Sequence, residues 1–131
     1  MTMTVKYEDI IKAKERISQY IYKTPLEKSM YLSDETTNVY LKLECQQKRV
    51  KSFKLRGALS KLTSLTEEEK AKGIMAVSSG NHGAAVSYAS GLLGINNTTI
   101  FVPEITPKSK INKIEYYGAK VKIVGKDYDE T

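Results

Sequence analysis

The chain has 131 residues, the size of one ordinary domain, and its 21 Lys and Arg against 15 Asp and Glu give a net charge of +6. A composition of 40% hydrophobic and 27% charged residues is typical of a folded globular domain and argues against disorder. The sequence contains neither the apolar run of about 20 residues that a membrane-spanning helix needs nor the apolar core of a signal peptide.

The N-terminal third predicts one helix and one strand. Residues 7–22 place isoleucines at helical spacing, and Glu8 and Asp9 stand in the first turn, where the helix dipole favours anions. This helix is expected to end before Pro25, because the residue before a proline is pushed towards an extended conformation. Alternating apolar residues over 39–43 then predict a half-exposed strand.

The remainder of the chain alternates helices with apolar strands. Apolar spacing over residues 55–62 predicts a second helix, and Thr66 begins a capping box that predicts a short third one. Further buried strands are predicted at residues 74–77, 99–102 and 121–124. The helix between the last two is predicted to have Thr106 as its N-cap and Pro107 as its first residue. This order predicts an α/β fold of three layers, α-β-α, around a four-stranded, mainly parallel sheet, with an additional N-terminal helix.

The positive charge lies in one window. Residues 42–61 contain seven Lys and Arg against Glu44 alone, whereas the rest of the chain is neutral. Residues 73–103 contain no charged side chain, which is typical of a buried strand–helix–strand unit. A basic window followed by a neutral turn with glycines indicates a pocket.

The first turn of interest covers residues 51–58 and places Lys54 at the start of the second predicted helix. The positive end of the helix dipole and the basic neighbours disfavour the charged ammonium form, which makes the amine a better nucleophile. Such a lysine is suited to form a Schiff base with an aldehyde or a ketone. A lysine that is simply exposed on a helix face is the alternative, and for a lysine taken alone it is the commoner explanation.

The second turn covers residues 78–83, between a buried strand and a helix of small residues. Backbone N–H groups at such a turn suit a carboxylate or a phosphate, and Asn81 can both donate and accept hydrogen bonds. The turn matches no nucleotide-binding motif, and taken alone it is better interpreted as a tight turn whose serines cap the helix. His82 is the only histidine, so we expect no metal site and a packing or capping role for it.

Taken together, these turns carry a family resemblance, in the segments SFKLRGA at residues 52–58 and SSGNHG at residues 78–83. They resemble the fold-type II pyridoxal-phosphate enzymes, and among these the serine/threonine dehydratase (ammonia-lyase) and serine racemase branch. Residues 22–26, 41–44 and 118–121 also match that branch, and the resemblance runs from about residue 7 to the end. It implies that the sheet and its helices are the small domain of the tryptophan synthase β-like fold.

The resemblance also implies a cofactor, pyridoxal 5′-phosphate, and roles for individual residues. Lys54 is expected to form the Schiff base with the cofactor and to remove the α-proton of the substrate. Phe53 is expected to lie against the cofactor ring, and Asn81 to hydrogen-bond the ring hydroxyl. The residues expected to bind the substrate carboxylate are Ser78, Gly80, Asn81 and His82.

The implied activity is an ammonia-lyase that converts L-threonine or L-serine into a 2-oxo acid and ammonia, and the preference between the two substrates stays open. Serine racemase is the alternative, with Ser79 acting on the cofactor face opposite Lys54. The alternative interpretation is that Ser79 is a small turn residue with no proton to transfer, and dehydratase activity stays ahead of racemisation. A hypothesis of a different class is a small nucleic-acid-binding module that docks through residues 42–61, but that window has no aromatic residue interleaved with its basic ones except Phe53.

The match to the family stops before its glycine-rich phosphate loop and the polar residue that faces the pyridine nitrogen. We therefore expect the N-terminal part of a longer enzyme, inactive alone and homo-oligomeric at full length, or else a half that pairs with a separate chain. Residues 1–35 are expected to form a helix and linker that pack on a larger domain, and residues 36–131 the small α/β domain. The expected partner is an amino-acid substrate rather than a nucleic acid or a membrane. The single cysteine, Cys45, cannot form an internal disulfide, which predicts a cytoplasmic protein.

Overall fold

The structure is a computed structural model that describes residues 4–131. Its first element is a helix that is mostly exposed. Helix α1 spans Tyr7–Ile17 and continues into one 3₁₀ turn, Ser18–Tyr20. The Asp9 carboxylate accepts a hydrogen bond from the Lys6 backbone N–H at 2.9 Å, which satisfies a free donor at the helix start. The predicted first helix is therefore present, with its last turn tightened.

A two-stranded hairpin follows, formed by β1 (Leu26–Lys28) and β2 (Tyr40–Lys42), which pair antiparallel. The strand predicted over residues 39–43 therefore does not join the main sheet, and this corrects the prediction of four strands in one sheet. All three residues of β2 are exposed, so the strand has no apolar face to bury. It pairs instead with the extended segment after Pro25, on the other side of the predicted boundary between residues 1–35 and 36–131. That division stays a prediction.

Two helices connect the hairpin to the main sheet, α2 (Lys54–Leu62) and α3 (Glu67–Ala71). The capping box at the start of α3 is confirmed. The Thr66 hydroxyl accepts from the Glu69 N–H at 3.2 Å, and the Glu69 carboxylate accepts from the Thr66 N–H at 2.8 Å. This reciprocal pair explains why so short a helix begins at a defined residue.

The main sheet has three parallel strands in the order β3-β4-β5, with a helix in each connection. The strands are β3 (Ile74–Val77), β4 (Thr98–Val102) and β5 (Lys120–Ile123). The helices between them are α4 (Asn81–Leu92) and α5 (Lys108–Tyr116). The predicted α/β class and parallel sheet are confirmed, because each strand returns to the sheet through a helix.

The start of α5 differs from the prediction. Pro107, with φ −58° and ψ 137°, is the extended residue before the helix, which begins at Lys108. Thr106 is not the N-cap: its buried hydroxyl has no hydrogen-bond partner among residues 4–131. The shift by one residue follows from the extended ψ of Pro107, which keeps that residue outside the helix.

Helices α4 and α5 contact each other and pack on the same face of the sheet. On that face Ile100 and Val102 are fully buried, whereas Met75 and Val77 on the opposite face are 76% and 49% exposed. The third layer of the predicted α-β-α arrangement is therefore not formed by residues 4–131. None of the helices in this part of the chain has the length and apolar character needed to cross a bilayer.

The core places the starts of α2 and α4 near each other. Leu55 and Leu59 of α2 are fully buried and belong to the same core cluster as Ala84 and Ala85 of α4. Burial of each leucine contributes about 1.5–3 kcal/mol, and the small alanines allow the two helices to approach closely. The packing of α2 against α4 thereby fixes the relative position of the two turns that precede these helices.

Candidate active site

Lys54 is the first residue of α2, and its side chain is exposed. The Nζ atom lies 5.1 Å from the centroid of the Phe53 ring, within the range of a cation–π contact. No carboxylate of residues 4–131 forms an ion pair with this amine. The buried Ser52 hydroxyl accepts a hydrogen bond from the Lys54 backbone N–H at 3.3 Å. The structure thus presents a primary amine beside an exposed aromatic ring at a helix start.

The loop before Lys54 contains two residues in the left-handed region, Arg49 with φ 55° and Lys51 with φ 58°. Neither is a glycine, so each costs about 1–2 kcal/mol. Two contacts from α5 and its end hold this loop: the Tyr117 hydroxyl donates to the Arg49 carbonyl at 3.2 Å, and the Lys113 amine donates to the Val50 carbonyl at 3.4 Å. The local sequence contains no Gly or Asn that would have revealed this conformation.

An ion pair with two hydrogen bonds anchors the first turn of α2. Arg56 donates from Nε to Oε2 of Glu44 at 2.9 Å and from Nη2 to Oε1 at 2.8 Å. Its hydrogen bonds are the largest cause that lowers the pKa of Glu44 from the usual 4.5 to about 2. Arg56 and Glu44 belong to the matched segments, but the sequence alone assigned neither of them a role.

The second turn connects the end of β3 to the start of α4. Gly80 is the extended residue before the helix and no side chain caps it, so the predicted capping by serines is not observed at this residue. The Gly80 N–H instead donates to the Ser78 hydroxyl at 3.2 Å. Among residues 4–131, no group accepts from the backbone N–H groups of residues 81–83. Free donors at a helix start form a favourable environment for an anion.

The side chains of this second turn differ in exposure. Ser79 is 4% exposed, whereas Asn81 and His82 are exposed. A Cβ atom built on Gly80 would meet no atom within 4 Å, so there is open space in front of the turn. A Cβ on Gly83 would collide with the Ser78 carbonyl oxygen, so α4 sits directly against the turn.

The first turns of α2 and α4 share one cavity. Gly57 and His82 both line this space of about 430 Å³, which is mostly apolar. The structure therefore brings His82 close to the helix that begins with Lys54. The other predicted site residues lie on the two turns outside the cavity lining. The roles of all of them, His82 included, stay predictions. Residues 4–131 contain no group of three His, Cys, Asp or Glu side chains suited to hold a metal ion.

Both turns lie in the part of the chain that matches known proteins. A family model described as pyridoxal-phosphate dependent enzyme matches residues 17–131. The protein named L-threonine dehydratase catabolic TdcB of Staphylococcus aureus strain N315 is 50% identical over 129 residues. These residues are 97% of this chain and 37% of that protein.

Two solved structures are also similar to this chain. The serine racemase of Dictyostelium discoideum is 40% identical with a TM-score of 0.88, and the match covers 98% of this chain and 41% of that one. The processed form of threonine deaminase isoform 2 from Solanum lycopersicum is 33% identical with a TM-score of 0.81, covering 99% and 37%. The chain is thus similar to these proteins over nearly its whole length, and it spans little more than a third of theirs.

Proposed function

Because the chain belongs to the family of pyridoxal-phosphate-dependent enzymes, we propose that the whole protein converts L-threonine or L-serine into a 2-oxo acid and ammonia. The observation that carries this proposal is the similarity to the L-threonine dehydratase described above, which extends through both turns of the candidate site. The similarity to the threonine deaminase structure supports the same activity. We also propose a homo-oligomeric, cytoplasmic enzyme whose partner is a small amino-acid substrate.

The residues at the two turns fit the cofactor of this family. Lys54 offers an exposed primary amine that forms no ion pair in the described chain, so an aldehyde can approach it. The Phe53 ring is 58% exposed and can lie against a flat aromatic ring. Gly80 leaves space where any side chain would intrude. When bound, pyridoxal phosphate withdraws electrons from the substrate α-carbon, which eases loss of the α-proton and of the β-hydroxyl.

The chain's own residues would then act as follows. The Lys54 amine would hold the cofactor through its aldehyde group and would accept the α-proton of the substrate at Nζ. The Asn81 amide hydrogen-bonds the ring hydroxyl. The free N–H groups at the start of α4, with Ser78, Gly80 and His82, bind and orient the substrate carboxylate. The proton taken up at Nζ would be returned to the departing β-hydroxyl, so that water leaves. Addition of water would then give the 2-oxo acid and ammonia.

The test is chemical trapping in the protein expressed from its complete reading frame. After addition of pyridoxal phosphate and reduction with borohydride, peptide mapping is expected to find the label on Lys54. Lys61→Ala, at the other end of the same helix, is the matched control and should keep the label, whereas Lys54→Ala should lose it. A label on another lysine, or no 2-oxo acid from either amino acid, would overturn the proposal.

Serine racemisation is a second candidate activity, favoured by the similarity to the Dictyostelium serine racemase and by the position of Ser79 at the second turn. Ser79→Ala is expected to lower D-serine formation by about 100-fold, the scale of a lost acid–base group, and to change 2-oxo acid formation far less. Chiral chromatography and a 2-oxo acid assay on the same samples measure both. Absence of D-serine with the unmodified enzyme would reject this candidate.

A further inference from the structure

We propose that Arg56 is a positioning residue for Lys54 and that it acts through its contact with Glu44. This role rests on the proposed function of Lys54 and assigns the Arg56–Glu44 pair a part in the reaction. Arg56 itself touches neither substrate nor cofactor in this assignment. It holds the helix turn from which the reactive amine projects.

The contact has the geometry of a specific anchor. Both hydrogen bonds are shorter than 3 Å and use both oxygens of the Glu44 carboxylate. The two side chains are only 32% and 19% exposed, so water screens the pair less than it screens an ordinary surface pair. A planar guanidinium can form this fork, and a lysine amine cannot.

The Glu44 carboxylate also accepts a hydrogen bond from a second segment of the chain. The buried Thr24 hydroxyl donates to Glu44 Oε1 at 2.6 Å, and Arg56 Nη2 also donates to the Tyr22 carbonyl at 3.2 Å. The Lys42 amine donates to the Thr24 carbonyl at 2.6 Å. The segment around Thr24, the segment from Lys42 to Glu44 and the first turn of α2 therefore meet at one carboxylate.

The start of α2 has one local side-chain hydrogen bond, to the Ser52 hydroxyl, so its exact position also depends on more distant contacts. Phe53 provides no side-chain cap, and the preceding loop contains the two left-handed residues Arg49 and Lys51. Buried Gln47 fixes the beginning of that loop by accepting from the Tyr22 N–H at 2.7 Å and donating to the Tyr22 carbonyl at 3.1 Å. The anchor fixes the other end, two residues after Lys54. A shift of about 1 Å in a reacting group can cost about 100-fold in rate, so loss of the anchor should appear in the reactivity of the amine.

The test measures how fast pyridoxal phosphate attaches to Lys54, by borohydride trapping and peptide mapping, in the protein from the complete reading frame. Arg56→Lys and Glu44→Gln are each expected to slow attachment by about tenfold. The double variant is expected to be no slower than either single one, because both changes remove the same contact. Lys61→Gln, which removes a positive charge from the far end of α2, is the control and should keep the original rate.

All rates are compared well below the lowest unfolding midpoint, so that a loss of stability alone does not alter them. Should Arg56→Lys not fold, Glu44→Asp, which keeps the charge and withdraws the carboxylate, decides the question and should also slow attachment. Folded variants that label Lys54 at the original rate would overturn the positioning role. Failure of the unmodified protein to label Lys54 would instead overturn the proposed function, so the two failures are distinguishable.

Discussion

The loop that leads into α2 is held by charged and amide side chains, whereas the turn that leads into α4 is held by its backbone, by glycine and by one serine hydroxyl. In the first, Glu44, Arg56 and Gln47 join segments that are distant in the sequence. In the second, α4 lies against the Ser78 carbonyl because Gly83 has no side chain. Both turns precede helices that pack together in one core.

This difference matches the chemistry proposed for each turn. A reactive amine must be held at one place while it gains and loses protons, and a network of side chains can fix it without blocking access to it. A carboxylate is bound by N–H groups at close range, and bulk near the backbone would exclude it. The first turn should therefore be sensitive to charge and pH, and the second to added volume.

The largest effect is expected from added volume at the second turn. Gly83→Ala should lower the free energy of unfolding by about 2–3 kcal/mol, because the new methyl group would collide with the Ser78 carbonyl oxygen. Gly80→Ala is the matched control: its methyl group meets open space, so the cost should be about 1 kcal/mol or less, from a poorer cap residue. Urea unfolding measures both. Equal losses for the two variants would contradict the role assigned to Gly83.

The next effect is the pH dependence that Glu44, the anchor of the first turn of α2, contributes to stability. The pKa of Glu44 is lowered from 4.5 to about 2, so its ionised form stabilises the folded protein above pH 4.5, and this contribution is lost as the pH falls towards 2. After allowance for solvent screening of the partly exposed pair, about 1–2 kcal/mol should be lost over this range. Urea unfolding of the unmodified protein against pH should show this loss.

Two variants separate Glu44 from the other carboxylates. Glu44→Gln should have a flatter stability profile between pH 4.5 and 2, because it lacks the titrating group. Glu27→Gln, which changes an exposed carboxylate on β1, should retain the profile of the unmodified protein. Identical acid profiles for both variants would show that Glu44 does not control this loss.

The smallest expected change in the free energy of unfolding comes from removing one serine hydroxyl in each turn. Ser52→Ala and Ser78→Ala each remove one hydrogen bond to a backbone N–H, and such bonds contribute about 0.5–1.5 kcal/mol. Ser52→Ala should cost more, because Ser52 is buried and water cannot replace its hydroxyl. Ser109→Ala, which changes an exposed residue of α5, serves as the control, and thermal unfolding resolves the order. A larger loss of stability for Ser78→Ala than for Ser52→Ala would contradict this expectation.

Much of the fold could be predicted because it depends on local periodicity. The spacing of apolar residues predicted α2 and the strands of the main sheet, and the Thr66 capping box was confirmed. The pairing of β2 was predicted wrongly, since three exposed residues contain no information about which strand lies beside them. Thr106 failed as an N-cap because Pro107 adopts an extended backbone that a favourable residue order does not reveal.

The candidate site was predictable in its two turns but not in what holds them. Residues 52–58 and 78–83 are recognisable as motifs, and the position of Lys54 at a helix start follows from the pattern after it. The contact between Glu44 and Arg56 spans 12 residues and depends on the path of the intervening loop. Along that path Arg49 and Lys51 adopt a left-handed backbone conformation, which neither residue type predicts.

The hydrogen bonds that hold the loop before α2 and the start of that helix differ in the sequence separation of their partners. Arg56 and Thr24 lie 12 and 20 residues from Glu44, whereas the contacts of Arg49 and Val50 with Tyr117 and Lys113 span 68 and 63 residues. A transient undocking of α5 would thus release the strained loop while the Glu44 contacts stay closed. We expect amide hydrogen exchange to detect this opening as weak protection at residues 49–53 beside stronger protection in α2.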